Sequence, residues 1–132
     1  MQSCEIKVVR RGDLAAISHL TVMPTVCLVA FQNPAASSEI DLLAKASLAV
    51  GTESFALYGP HADALEDDID FVLEQGEPSW LNISTTSHQG ESPQDVAQFV
   101  LHAAHPGDEP FRCLLVLDDQ LAAAEALMYE LV

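Results

Sequence analysis

Thr25-Val26-Cys27-Leu28-Val29-Ala30-Phe31, followed by Gln32-Asn33-Pro34, is the stretch that decides the fold. An apolar run of strand length that does not alternate with polar residues predicts a strand buried on both faces, the position it would hold in a parallel sheet. Asn33-Pro34 ends the run, and Ser38 with Asp41 three residues later resembles a capping box, with Asp in the place of Glu or Gln. Ile40, Leu43, Ala46 and Val50 then recur at helical spacing until Gly51 stops them. The unit is strand, turn, helix.

Outward from this unit the pattern repeats. Ser54 to Tyr58 predicts a second strand, punctuated by Gly59-Pro60, and His61 to Gln75 a helix with Leu65, Ile69, Val72 and Leu73 on one face. Trp80 to Thr85 predicts a third strand. Ser92-Pro93-x-Asp95 supplies a side-chain cap, a proline at the first helical position and an acid at the third. Arg112 to Leu117 predicts a fourth strand, and Asp118 or Asp119 starts a last helix whose Leu121, Ala124, Met128 and Leu131 face inward. Before Pro24 the signals are weaker: Glu5 to Val9 predicts an extra edge strand and Asp13 to Leu20 a short helix.

Strand–helix alternation of this kind argues for an α/β fold, a three-layer Rossmann-like sandwich. Its mostly parallel sheet has four to five strands, with helices on both faces. Residues 1–132 read as one such domain, with 24–132 forming four strand–helix units. At 132 residues the chain is long enough to bury about two-thirds of its unfolded surface.

Charge is distributed unevenly. Lys7, Arg10 and Arg11 lie in the first twelve residues beside a single acid, Glu5, while the rest of the chain sets only Lys45 and Arg112 against 19 carboxylates. The net charge of −15 disfavours nucleic acid and anionic membranes as partners and favours a basic partner or plain solvation. Val26 to Phe31 is the longest apolar stretch, far short of the about 20 residues that span a bilayer, and the amino terminus lacks the compact apolar run of a signal peptide. Cys4, Cys27 and Cys113 are odd in number and widely spaced, two of them inside predicted strands, which reads as reduced core thiols in a cytoplasmic protein.

Ligands of open α/β sheets bind beyond the carboxyl ends of the strands. Those positions hold Gln32 and Asn33, Tyr58, Gly59 and His61, then Thr85, Thr86, Ser87 and His88, and finally Asp118 and Asp119. Thr85, Thr86, His88 and Asp118 are the candidates for ligand binding or acid–base chemistry, although hydroxyls and Asp are also what loops and helix caps require. The five histidines are scattered, and none pairs with a Cys or carboxylate at a spacing typical of zinc, so no metal is expected. His102 and His105, three apart, suit the carboxyl end of a helix. A glycine-rich phosphate loop, a serine nucleophile elbow and an activated cysteine are all missing, and no cofactor is expected.

The second helix is more unusual. At 100° per residue Asp63, Asp67, Asp70 and Glu74 line up opposite its apolar stripe, with no basic residue among them and with Phe71 on their flank. Like-charge pairs at these spacings cost about 0.2–0.5 kcal/mol each in an isolated helix. An aromatic bordered by acids suits the anchoring of a basic protein surface, against the plainer alternative of a solvated face.

The segments Tyr58-Gly59, Asp67-Asp68-Ile69-Asp70, Thr85-Thr86-Ser87-His88, Val96 to Phe99 and Ala104-His105-Pro106 together resemble a family of small bacterial proteins of unknown function. The resemblance covers roughly residues 54–106. Tyr58, Glu66 and Ser87 stand where that family carries tryptophan. It supports the strand and helix placement, implies no activity, and draws Asp67, Asp68, Asp70, Thr85, Thr86 and His88 together as a group.

Two classes of function follow. The first is a protein-binding module whose acidic face (Asp63, Asp67, Asp70, Phe71, Glu74) engages a basic partner, as an immunity protein or inhibitor of a nuclease-like toxin would. The second is a small enzyme or ligand-binding domain using the strand-end rim, and the absence of a catalytic motif weighs against it. An acidic proteome would account for the charge with no partner at all, and Tyr129, Leu131 and Val132 offer apolar groups for a homodimer.

Overall fold

The computed structural model describes residues 4–105, 109–118 and 121–131, and of residues 121–125 the backbone alone. Five parallel strands form one sheet: β1 (Cys4–Arg10), β2 (Thr25–Ala30), β3 (Thr52–Tyr58), β4 (Ser84–Ser87) and β5 (Phe111–Leu117), in the order β1-β5-β2-β3-β4. Helices α1 (Ser37–Ala49), α2 (Ala62–Gln75), α3 (Pro93–His102) and α4 (Leu121–Leu131) connect or follow them. Short 3-10 segments cover Arg11–His19 and Pro78–Asn82.

The apolar run of β2 is buried along its whole length, as is β5 beside it. Their side chains alternate between two cores, because successive residues of a strand point to opposite faces. Cys27, Val29, Leu114 and Val116 meet Leu14, Ile17, Leu43 and Ile69 on one face, the side of α1 and α2. Val26, Leu28, Leu115 and Leu117 meet Val96, Val100, Leu127 and Leu131 on the other, the side of α3 and α4. The fold is therefore a three-layer α/β sandwich. Strand β1 is an edge with Glu5, Lys7 and Arg10 exposed, charges that discourage pairing with another chain.

Local expectations differ from the structure at the start of α1 and in the third strand. Helix α1 begins at Ser37 with Glu39 in its first turn; Glu39 Oε1 accepts from the Ala36 N–H at 3.1 Å, while Asp41 pairs with Lys45 one turn on at 3.0 Å. The third strand of the sequence reading begins at Ser84 rather than Trp80. The Trp80 ring folds back over Gly76, within 2.0 Å of where a Cβ there would lie, and Pro78 starts a 3-10 turn that occupies the intervening residues. In α4, Leu131 is buried and Met128 partly so, as expected, with Leu127 buried beside them; the side chains of Leu121 and Ala124 lie outside the described residues.

Arg112 enters β5 almost wholly buried, donating from Nη1 to the Thr21 carbonyl at 2.8 Å and from Nη2 to the Val50 carbonyl at 3.0 Å. Val50 ends α1, so the guanidinium sits at the negative end of that helix. One of the two basic residues that follow residue 12 is thus spent inside the fold. The Cys27 and Cys113 thiols are free and buried, and burial pushes Cys27 up to about 12 and Cys113 upward as well, so neither is a reactive thiolate.

Candidate functional site

Strand β2 leads to α1 on one face and its neighbour β5 leads to α4 on the other, so the topological switch point lies between their carboxyl ends. This crevice is filled from within. Asp118 is buried there, and its Oδ2 accepts from the Gln32 N–H at 2.6 Å and the Asn33 N–H at 3.0 Å. Arg11, just beyond the end of β1, brings Nη1 to 3.9 Å from the same oxygen. Its Nε and Nη2 grip Glu39 at 2.8 Å each, and Nη1 and Nη2 also donate to the carbonyls of Asn33 at 3.1 Å and Pro34 at 2.7 Å. The guanidinium lies 4.6 Å above the Phe31 ring. This grip holds the Glu39 carboxyl down at about 2. Paired backbone N–H groups with an arginine are what a ligand anion would use at such a crevice. Here the anion is the protein's own Asp118.

The remaining rim residues divide between the two faces. Thr85 donates to Asp70 Oδ1 at 2.6 Å on the α2 side. Thr86, its neighbour in β4, points the other way and meets His88 Nε2 at 2.9 Å, while His88 Nδ1 meets Glu91 Oε1 at 3.0 Å. The His88 ring is buried, tilted against Phe99 at 4.5 Å. Asp118 is three strands away from this group, roughly 14 Å by strand spacing. The structure therefore joins Thr86 and His88, adds Glu91, and leaves Thr85 and Asp118 to separate tasks. Glu91 was not singled out from the sequence, and its place three residues after His88 was the available signal. A concavity of about 290 Å³ at the ends of β2 and β3 takes in Gln32, Tyr58, Gly59 and Glu91, and burial raises the Tyr58 phenol. His105 lies past the end of α3, buried and stacked on Phe111 at 4.7 Å.

The acids of α2 also divide. Asp63 and Asp70 turn toward β4, where Ser87 donates to Asp63 and Thr85 to Asp70. Glu66 lies between them, its carboxyl raised first by burial and then by repulsion from Asp70, Asp67 and Asp63. Asp67 and Glu74 remain on the outer surface with Phe71, which is 63% exposed. On the side facing α1, a groove opens in two contiguous parts of about 410 and 340 Å³ that share Asp41, Phe71 and Val72. Asp68 stands at one end, and Glu77 and Trp80 at the other.

Among the described residues no group of three or more His, Cys, Asp or Glu side chains is placed to hold a metal ion, and no helix is long and apolar enough to cross a membrane. A family model matches residues 6–132, from within β1 through α4. The chain belongs to this family, described as a domain of unknown function, DUF7684. The match reaches well beyond residues 54–106, so the filled switch point and the α1–α2 groove both lie inside the family's domain. No curated protein matches the chain.

Proposed function

We propose that the protein is a cytoplasmic binding module that engages a basic protein partner through the outer surface of α2, as an immunity or inhibitor protein does. The observation that carries this reading is Phe71: a large aromatic, 63% exposed, between Asp67 and Glu74 on a chain of net charge −15. Exposed aromatics of this kind anchor interfaces, and the surrounding carboxylates speed encounter with a positive surface. Lys7 and Arg10 are exposed on β1, at the opposite edge of the sheet from β4, and the other basic side chains do little to offset these acids. Arg112 is buried, Arg11 is bound up in the switch-point crevice, and Lys45 is paired with Asp41. The crevice that would serve a small anionic ligand is already held by Asp118.

The test is a pull-down from cells that carry the gene, with wild-type protein beside a D67K/E74K variant that leaves the β4-facing acids alone. The reading expects a basic protein retained by the wild type and retained less by the variant. Equal retention by both would remove it.

A second reading, a small enzyme or ligand-binding domain, is favoured by one observation, the Thr86–His88–Glu91 chain of hydrogen bonds. A hydroxyl, an imidazole and a carboxylate in that order suit proton transfer at the Thr86 oxygen. This reading expects Thr86 to react with an activated acyl ester in wild-type protein and not in H88A. An unmodified Thr86 in both would discard it.

A further inference from the structure

We infer that the partner enters the groove between α1 and α2 as a continuous segment, placing an apolar side chain on Phe71 and Val72 and a cation at each end, on Asp68 and on Glu77. This deepens the proposed function and rests on it, because that reading requires only an acidic surface and this one names the place and the chemistry of what fits.

Three features of the groove carry the inference. Its floor and lip are apolar: Ile40, Phe71, Val72 and Trp80 line its two parts, although the rest of α2's outer surface is acidic. Its charge is one-sided. Asp41, Asp68 and Glu77 line it, and the single cation, Lys45, is 3.0 Å from Asp41. Among the described residues no basic side chain pairs with Asp68 or Glu77, which leaves a charge at either end for an incoming Lys or Arg. Its length suits a chain segment. Ser37 to Lys45 spans about 12 Å of helix at 1.5 Å per residue, two turns of a docked helix or about four residues of extended chain. Helix-in-groove recognition uses this combination of apolar anchors at i and i+3 or i+4 with charges at the rim.

Asp63 and Asp70 fall outside the footprint, since they already accept hydrogen bonds from Ser87 and Thr85. A second copy of this chain is a poor occupant, because each copy carries −15.

The test measures binding of two synthetic probes, an amphipathic lysine–leucine peptide and oligolysine of equal charge. Each is titrated against wild type, F71A, D68N/E77Q and D67N/E74Q, the last removing the same charge from outside the groove. The inference expects the lysine–leucine peptide to bind more tightly than oligolysine. It also expects F71A and D68N/E77Q each to weaken the peptide by about tenfold or more, against about threefold or less for D67N/E74Q. Equal losses in the two double variants, or oligolysine binding as tightly as the peptide, would overturn the groove while leaving the acidic-surface reading intact. No binding by either cation would overturn both. A wild-type dimer that blocks the peptide and falls apart in F71A would give the groove to a second copy and also overturn the inference.

Discussion

The switch-point crevice is built on the turn between β2 and α1, the groove on α1 and α2 themselves, and the two treat their charges in opposite ways. In the crevice, Asp118, Arg11 and Glu39 satisfy one another and the backbone of Gln32, Asn33 and Pro34. In the groove, Asp68 and Glu77 meet no cation among the described residues, and Phe71 stays in water. A charge that is hydrogen-bonded and shielded stabilises the fold. One left exposed beside an unburied ring contributes little to stability and is available to something else. The β2–β5 crevice, where an α/β sheet ordinarily binds its ligand, has here become part of the scaffold, and the open space between α1 and α2 is larger than that at the ends of β2 and β3.

Removing Asp118 should break this comparison most severely. D118A strands two backbone N–H groups and takes a carboxylate from Arg11, so unfolding by urea should show a loss of about 3 kcal/mol. D118N, which keeps an acceptor, should lose less. Next comes acid. Because Glu39 sits at about 2 in the folded protein against an ordinary 4.5, its contribution is complete above the ordinary value and lost as pH falls toward 2. The urea midpoint of wild type should therefore converge on that of E39Q between about pH 4.5 and 2.

Glu66 has the opposite sign and a smaller effect. Its carboxyl is raised, so the folded state holds the proton more tightly than the unfolded chain and loses stability as pH rises from the ordinary 4.5 through the raised value. E66Q should be more stable than wild type at pH 7 and lose that advantage at pH 4. The smallest effect belongs to the groove. D68N/E77Q and F71A should leave stability within about 0.5 kcal/mol of wild type, as substitutions at exposed positions do. A loss from D68N/E77Q comparable to that of D118A would erase the distinction between the two regions.

The layers of the fold were legible because the signals were local. The run Thr25–Phe31 reads as a strand buried on both sides whatever surrounds it. Gly51 and Gly59 mark real breaks: φ is +106° and +120°, and a Cβ would lie 2.0 Å from the Met23 carbonyl oxygen and 2.2 Å from that of Phe31. Ser92 caps α3 as its sequence implies, accepting from the Asp95 N–H at 3.1 Å. The crevice was not legible. Arg11 meets Glu39 across 28 residues and Asp118 meets Gln32 across 86, distances over which no pattern in the chain specifies a partner.

The α2 surface was half legible. Its helical period placed Asp63, Asp67, Asp70 and Glu74 away from the core, and Phe71 off the apolar stripe. Which of those acids is hydrogen-bonded to the fold depended on β4 lying alongside with Thr85 and Ser87 aimed at the helix. Asp41 and Trp80 belong to the groove only because α1 and the 3-10 turn after α2 close its two sides.

We place the working surface between α1 and α2 rather than at the strand ends. Titrating ¹⁵N-labelled protein with the lysine–leucine peptide, and following backbone amide shifts, tests this placement most directly. The shifts should centre on Asp41, Asp68, Phe71, Val72 and Trp80. Shifts centred instead on Gln32, Tyr58, Gly59, Gly90 and Glu91, at the carboxyl ends of β2 and β3, would contradict it.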